Sequence, residues 1–412
     1  MPDQAIAMFE HANGNMVQGN VFNIQQRKSS ETDRHSMNLL EERCCIGAQV
    51  DSNERFDPPR CDLDTRVKIT QDIMDWIKGD DEEASIMVLH GSAGAGKSAL
   101  EQTIAQLCQQ EGRLASSFFL SRTAANPQRS NGDVVIPTLV YQHLQVFPWI
   151  KNPVLDEIEA YPKIFDLSRE VQFDRLFVKH FQGPRQQLSG YTQPRLIAID
   201  GLDECNDRNV QLDLLRIIAA AVPHLQHPFR FFIACRPETH IMQVIHRDPL
   251  FQNAFIHRID LNEDTQVDND IRHFLTKKFR KIRESHPIGG FLSSSWPSAD
   301  VIDTLVANSS GQFVYVDTVI RFIAWNNARP DDQLNIILSL TLPRQNEKPF
   351  YTLDSLYSHI FSCVQDRDTV QRILGIIWLA SRHEVYGYER WSDEYHLSDP
   401  TNLERILNRR PG

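Results

Sequence analysis

The stretch "LHGSAGAGKSAL", residues 89–100, sets Gly91, Gly96, Lys97 and Ser98 in the spacing G-x-x-x-x-G-K-[S/T]. Those residue types at that spacing suit a triphosphate. Glycines let the backbone curl until successive N–H groups point inward at phosphate oxygens, here along Gly91, Ser92, Ala93, Gly94, Ala95, Gly96, Lys97, Ser98 and Ala99. A helix starting near Lys97 turns its positive end on the same anion. The Lys97 ammonium reaches the β- and γ-phosphates, and the Ser98 hydroxyl ligates Mg²⁺. A glycine-rich surface turn is the plainer alternative. Context favours the cradle: "SIMVL" reads as a strand before the loop, and "SALEQTIAQLCQQ" reads as a helix after it, with Leu100, Ile104 and Leu107 on one stripe.

A phosphate cradle needs a second Mg²⁺ anchor and a group that positions water. "LIAIDGLDEC" supplies both. Asp200 ends an apolar strand, where its carboxylate meets the ion directly or through water. On the turn that follows, Glu204 is the candidate general base and Asp203 its helper. "FFIACRPE" ends a further apolar strand in Arg236, placed to touch a γ-phosphate and report its presence. Taken singly, these would be an acidic turn and a surface arginine.

The elements that must carry these residues are legible as four short apolar runs: "SIMVLH" (85–90), "ASSFFL" (115–120), "RLIAID" (195–200) and "FRFFIAC" (229–235). Continuous apolar strands separated by helical stretches predict an α/β fold, a parallel sheet flanked by helices. Ahead of them, "TRVKITQDIMDWIKG" predicts a helix that Gly79 stops. Beyond about residue 240 the strand signals thin out and helices take over, among them one from Ser298 to a stop near Gly311. Residues 1–57 differ: "NGNMVQGNVFNIQQ" is rich in Asn and Gln and suits a disordered tail, a small hairpin or a stacked β-assembly.

Composition narrows the function. Across 412 residues the formal charge is −11, which argues against a nucleic-acid grip or docking on an anionic membrane. No apolar run approaches the roughly 20 residues of a membrane helix. The N-terminus does not read as a secretory signal. Seven cysteines without paired Cys/His spacing argue for free thiols, no zinc site and a cytoplasmic setting.

In this order and spacing, "GSAGAGKS", "LIAIDGLDE" and "FIACRPE" resemble a NACHT-type nucleotide-binding domain of the signal-transduction ATPases with numerous domains. "CDLDTR", "ASSFFLSRT" and "WPSADVIDTLVANSSGQFVYVDTVIRFI" are similar to its fungal branch, over about residues 60–380. The resemblance implies residues 58–240 as the P-loop NTPase domain, 241–345 as a helical domain and 346–412 as a partial winged-helix region without sensor repeats. It implies a switch that binds ATP or ADP with Mg²⁺, hydrolyses ATP slowly, and assembles into a homo-oligomer when ATP-bound. An unidentified effector would be reached through the N-terminal segment. The phosphate, Mg²⁺ and hydrolysis roles fall on the residues above; Thr65 and Arg66 match a segment near the adenine. A proline that relatives carry near the base is missing around "SSGQFVYV", and His383 is the candidate for the histidine of the winged helix. Two other functions fit the same loop: a nucleotide-bound scaffold that does not hydrolyse, and a phosphotransferase.

Overall fold

The computed structural model describes residues 32–383 apart from 56, 63, 80–83, 183–192, 226–228, 254, 341–350, 363 and 365. The Asn/Gln-rich stretch before residue 32 and the end of the expected winged-helix region lie outside the described residues.

Five strands, β1 (Ala84–His90), β2 (Leu114–Phe119), β3 (Arg195–Asp200), β4 (Phe229–Cys235) and β5 (Phe255–Asp260), form one sheet in the order β2-β3-β4-β1-β5, with every pairing parallel. Alternate side chains divide between its faces. Ile86, Val88, Ile197, Ile199, Phe231 and Ile233 pack on one, and Met87, Leu89, Leu196, Ala198, Phe232 and Ala234 on the other. Burial on both faces explains why the inner strands read as unbroken apolar runs.

Helix α1 spans residues 32–41, and α2 (Val67–Lys78) and α3 (Lys97–Gln110) cover the second face. The first face is covered by α4 (Val135–Val146) and α5 (Pro148–Ala160), then by α6 (Arg169–Phe173), which runs through a π-helical turn into α7 (Lys179–Phe181). Helices α8 (Arg208–Ala221), α9 (Thr239–Arg247) and α10 (Pro249–Asn253) complete that layer. Helices α11 (Val267–Ser285), α12 (Ala299–Ser309), α13 (Phe313–Ile323), α14 (Pro330–Leu340) and α15 (Tyr351–Ser362) form an arm, and α16 (Arg367–His383) follows it in the chain. The arm's core is its own, built on Ile271, Leu275, Leu305, Val316, Val319 and Ile323.

Two expectations need correction. The sheet does not end by residue 240: β5 pairs with β1 and lies wholly within the stretch read as helical. Nor is the whole of 1–57 a loose tail. Leu40, Cys45 and Ala48 are buried against the sheet helices, the Cys45 amide donates to Thr138 Oγ1 at 2.9 Å, and the Val50 amide donates to Ser117 Oγ at 3.0 Å. A few small apolar residues and these side-chain caps hold an otherwise polar segment down.

Candidate functional site

The parallel order sets the site. Strand β4 lies between β1 and β3, so the carboxyl ends of β1 and β3 stand about 10 Å apart, two strand spacings. Into that gap project the loop after β1, the acidic turn after β3 and Arg236 after β4.

The loop from Gly91 to Gly96 uses left-handed backbone at Gly94 (φ 79°) and Gly96 (φ 96°), which side chains disfavour. Gly96 then caps α3, whose first residues are Lys97 and Ser98. Gly94 is constrained twice, because a Cβ there would lie 2.3 Å from Val314 Cγ1 of the arm. The Lys97 ammonium donates to Gly91 O at 2.8 Å and Ser92 O at 2.9 Å. Burial lowers its pKa; Asp203 opposes that shift, and Arg236 adds to it.

Asp200 is buried at the end of β3. Burial pushes its carboxyl up to about 6, against a hydrogen bond from the Ser98 hydroxyl, with the Glu204 charge raising it further. Its Oδ1 has no hydrogen-bond partner. A hydroxyl and a carboxylate with an unsatisfied oxygen suit a hard cation such as Mg²⁺. No three His, Cys, Asp or Glu side chains among the described residues cluster to hold a metal, so such an ion would draw its other ligands from phosphate and water.

Asp203 and Glu204 part company. Asp203 is 3 % exposed; it accepts the Arg236 amide at 2.8 Å and pairs with Arg236 Nε at 3.3 Å. It positions Arg236 more than it meets water. Glu204 is more open, accepts the Arg122 amide at 3.1 Å, and lies 3.8 Å from Arg236 Nη2. Arg236 therefore faces the acidic pair. The left-handed Gly201 (φ 70°) makes this turn possible, since a Cβ there would meet Leu120 O at 3.0 Å.

Thr65 and Arg66 are both engaged by protein. The Thr65 hydroxyl donates to Asp62 O. The Arg66 guanidinium donates to Ala95 O of the loop at 3.1 Å and pairs with Asp264, while its amide donates to Asp270 Oδ2 at 3.0 Å. The segment does lie beside the loop, as a brace.

Three charged residues escaped the sequence reading. Arg122, just past the end of β2, sends its guanidinium to Asp203 O and Cys205 O. Its position, a charge three residues past the end of an apolar strand, is a looser form of the signal that marked Asp200 and Arg236. Glu101, one turn beyond Ser98 on α3, is fully buried, and neither of its oxygens has a hydrogen-bond partner. Burial, then the Asp200 charge, push its carboxyl well above the usual range. Arg55 supplies an opposing charge from the N-terminal segment, its guanidinium 3.5 Å over the Phe119 ring. Nothing local marks either residue as paired.

Residues 65–236 match the family model described as Nephrocystin 3, N-terminal, which is less than half of the chain. No curated protein matches the sequence. Among solved structures, similarity extends to the Aeropyrum pernix ORC2 protein in ADPNP–ADP complexes, at 11% identity and a TM-score of 0.37 over 87% of this chain and 91% of that one. The Aeropyrum pernix ORC1 protein in complex with DNA aligns at 13% identity and a TM-score of 0.36, over 83% of this chain and 81% of that one. The replication initiator DnaA bound to AMPPCP and single-stranded DNA aligns at 11% identity and 0.34, over 83% and 82%. The family match spans the phosphate loop, the acidic turn and Arg236. The parallel sheet with its phosphate loop has the P-loop NTPase fold, and residues 65–236 are similar to the N-terminal region that the family model describes.

Proposed function

We propose that the chain is a NACHT-type nucleotide switch that binds ATP with Mg²⁺, hydrolyses it slowly and self-assembles in its ATP state. The observation that carries this reading is the seating of the helical arm on the phosphate loop. The Val314 amide donates to Gly94 O at 3.3 Å, and the Val314 side chain lies over Gly94. A loop that wraps phosphates has to reshape, and the arm resting on it responds.

Lys97 and the loop amides would hold the β- and γ-phosphates, while Ser98 and Asp200 would hold Mg²⁺. The ion would neutralise charge on the phosphate oxygens. Glu204 would take a proton from the attacking water as that water bonds to the γ-phosphorus and the bond to ADP breaks. Arg236 would swing from the acidic pair toward the γ-phosphate. A cavity of about 270 Å³ between loop and arm, lined by Ser92, Ala95, Leu261, Asn262, Val306 and Gly311, would receive the base. Signalling through an effector, of the fungal incompatibility type, belongs to the same proposal. No helix among the described residues is long and apolar enough to cross a membrane.

The test is to denature the purified chain and identify released nucleotide by chromatography, with Lys97→Ala beside it. Stoichiometric ADP from the wild type alone is expected. No nucleotide, together with no binding of added Mg-ATP, overturns the reading. A non-hydrolysing scaffold is favoured by one observation, the engagement of Glu204 by Arg122 and Arg236. Glu204→Gln separates the two: as a switch it traps ATP and drives assembly seen by sedimentation, whereas a scaffold sediments unchanged.

A further inference from the structure

Residues 61–66, residue 63 aside, lie between the phosphate-loop helix and the arm and are tied to both. Toward α3, the Cys61 amide donates to Thr103 Oγ1 at 3.0 Å, and toward the phosphate loop Arg66 donates to Ala95 O. Toward α11, Lys277 Nζ lies 3.3 Å from Asp62 Oδ1 and 3.3 Å from Asp64 Oδ2, and Lys278 Nζ lies 2.9 Å from Asp62 Oδ2. His273 Nε2 is 3.5 Å from Asp64 Oδ2. The buried Arg66–Asp264 pair and the Arg66 amide bond to Asp270 close the row. One side of α11, from Asp270 to Lys278, therefore meets this short strap, with Lys277 and Lys278 set against Asp62 and Asp64 and Asp270 accepting the Arg66 amide. The "KKFRKIR" stretch, which by sequence alone reads as a solvated face, supplies two of those cations.

We propose that this strap is an electrostatic latch that holds α11, and with it the helical arm, against the phosphate loop, so that the arm cannot leave the loop until the latch breaks. It rests on the switch reading in one respect only, that the arm moves. Two grades of contact give it two roles. The buried Arg66–Asp264 pair fixes register, because either charge is poorly tolerated alone. The aspartate–lysine pairs, half-buried to exposed, are individually weak and salt-sensitive, so they set how readily the arm opens. Their number along one helix gives an effect that a single pair lacks.

The experiment is hydrogen exchange read by mass spectrometry on the full chain, without added nucleotide. The variants are Asp62→Lys/Asp64→Lys, Lys277→Asp/Lys278→Asp, and all four together. Peptides carrying the amides of Arg66 and Val314 report the two arm contacts. Each double reversal is expected to speed their exchange about tenfold, and the fourfold variant to return it to within about threefold of wild type. Strands β1 and β4 keep their protection. Wild-type exchange in the double reversals, or no recovery in the fourfold variant, overturns the latch. If a reversal fails to fold, the wild type decides: raising KCl from about 0.1 to about 1 M shortens the screening length from roughly 10 to 3 Å and should speed the same peptides, and no change overturns the proposal. Nucleotide response is measured separately on Lys97→Ala, so failure of the switch and failure of the latch give different results.

Discussion

Asp200 ties the site's chemistry to pH. Its folded-state pKa is raised to about 6 from 3.8, so the folded chain binds more protons than the unfolded chain between those values. Stability of the nucleotide-free protein should therefore fall as pH rises from about 4 to 6, by roughly 3 kcal/mol at most. Mg-nucleotide binding should run the other way. A neutral carboxyl is a poor ligand, so affinity should weaken as pH drops through about 6. Urea midpoints and a fluorescent-nucleotide titration over that range check both signs. Asp200→Asn should remove the slope in nucleotide affinity and lessen the slope in stability, the remainder belonging to the buried Glu101 carboxyl, which is raised in the same direction; an unchanged affinity slope in that variant would assign the titration elsewhere. Asp200 was legible because it ends an apolar run. Its buried neighbour Glu101 was not, since only the folded chain sets that carboxyl beside Asp200 and Arg55.

At the level of elements, the carboxyl ends of β1, β3 and β4 deliver the site residues, and Arg122 joins that set from beyond the end of β2. Its guanidinium spans Asp203 O and Cys205 O, which fixes the acidic turn relative to the loop after β2. Arg122→Ala should lower turnover tenfold to about a hundredfold while leaving nucleotide Kd within about threefold, because it positions Glu204 and does not hold phosphate. Arg122→Lys should recover only part, since the compact lysine ammonium sits on a shorter side chain than the guanidinium nitrogen Nη2 that meets both carbonyls. Equal loss of binding and turnover would place Arg122 on the nucleotide instead. Element boundaries follow the same physics. The strands β1, β3 and β4 are buried on both faces and stand out in the sequence. Strand β5 is an edge strand whose His257 and Arg258 face water, so "FIHRID" lacks the unbroken apolar run. The packed stretch after residue 32 was hidden for a related reason: it is anchored by scattered Leu40, Cys45 and Ala48 and by side-chain hydrogen bonds that no periodicity announces.

Across the whole molecule, the arm has a core of its own, separate from the two cores of the sheet. Contacts between arm and nucleotide domain include many polar ones, and such interfaces let domains move. Arg66 is the most buried of these ties, its side chain 3% exposed against 10% for Asp264. Arg66→Met keeps the stem's packing but leaves Asp264 without its partner, and removing one member of a buried pair costs about 3–5 kcal/mol. Because the arm's core and both sheet cores remain intact, that loss should fall on docking and not on either domain. Calorimetry should then show the arm unfolding at lower temperature as a transition distinct from the sheet domain, where the wild type unfolds in one. Adding Asp264→Leu should recover most of the loss, since exchanging a buried pair for apolar groups of similar size is often neutral. A single transition with unchanged Tm in Arg66→Met would mean that apolar contacts such as Val314 on Gly94 carry the docking alone, and the arm would then answer to the shape of the phosphate loop without an ionic restraint.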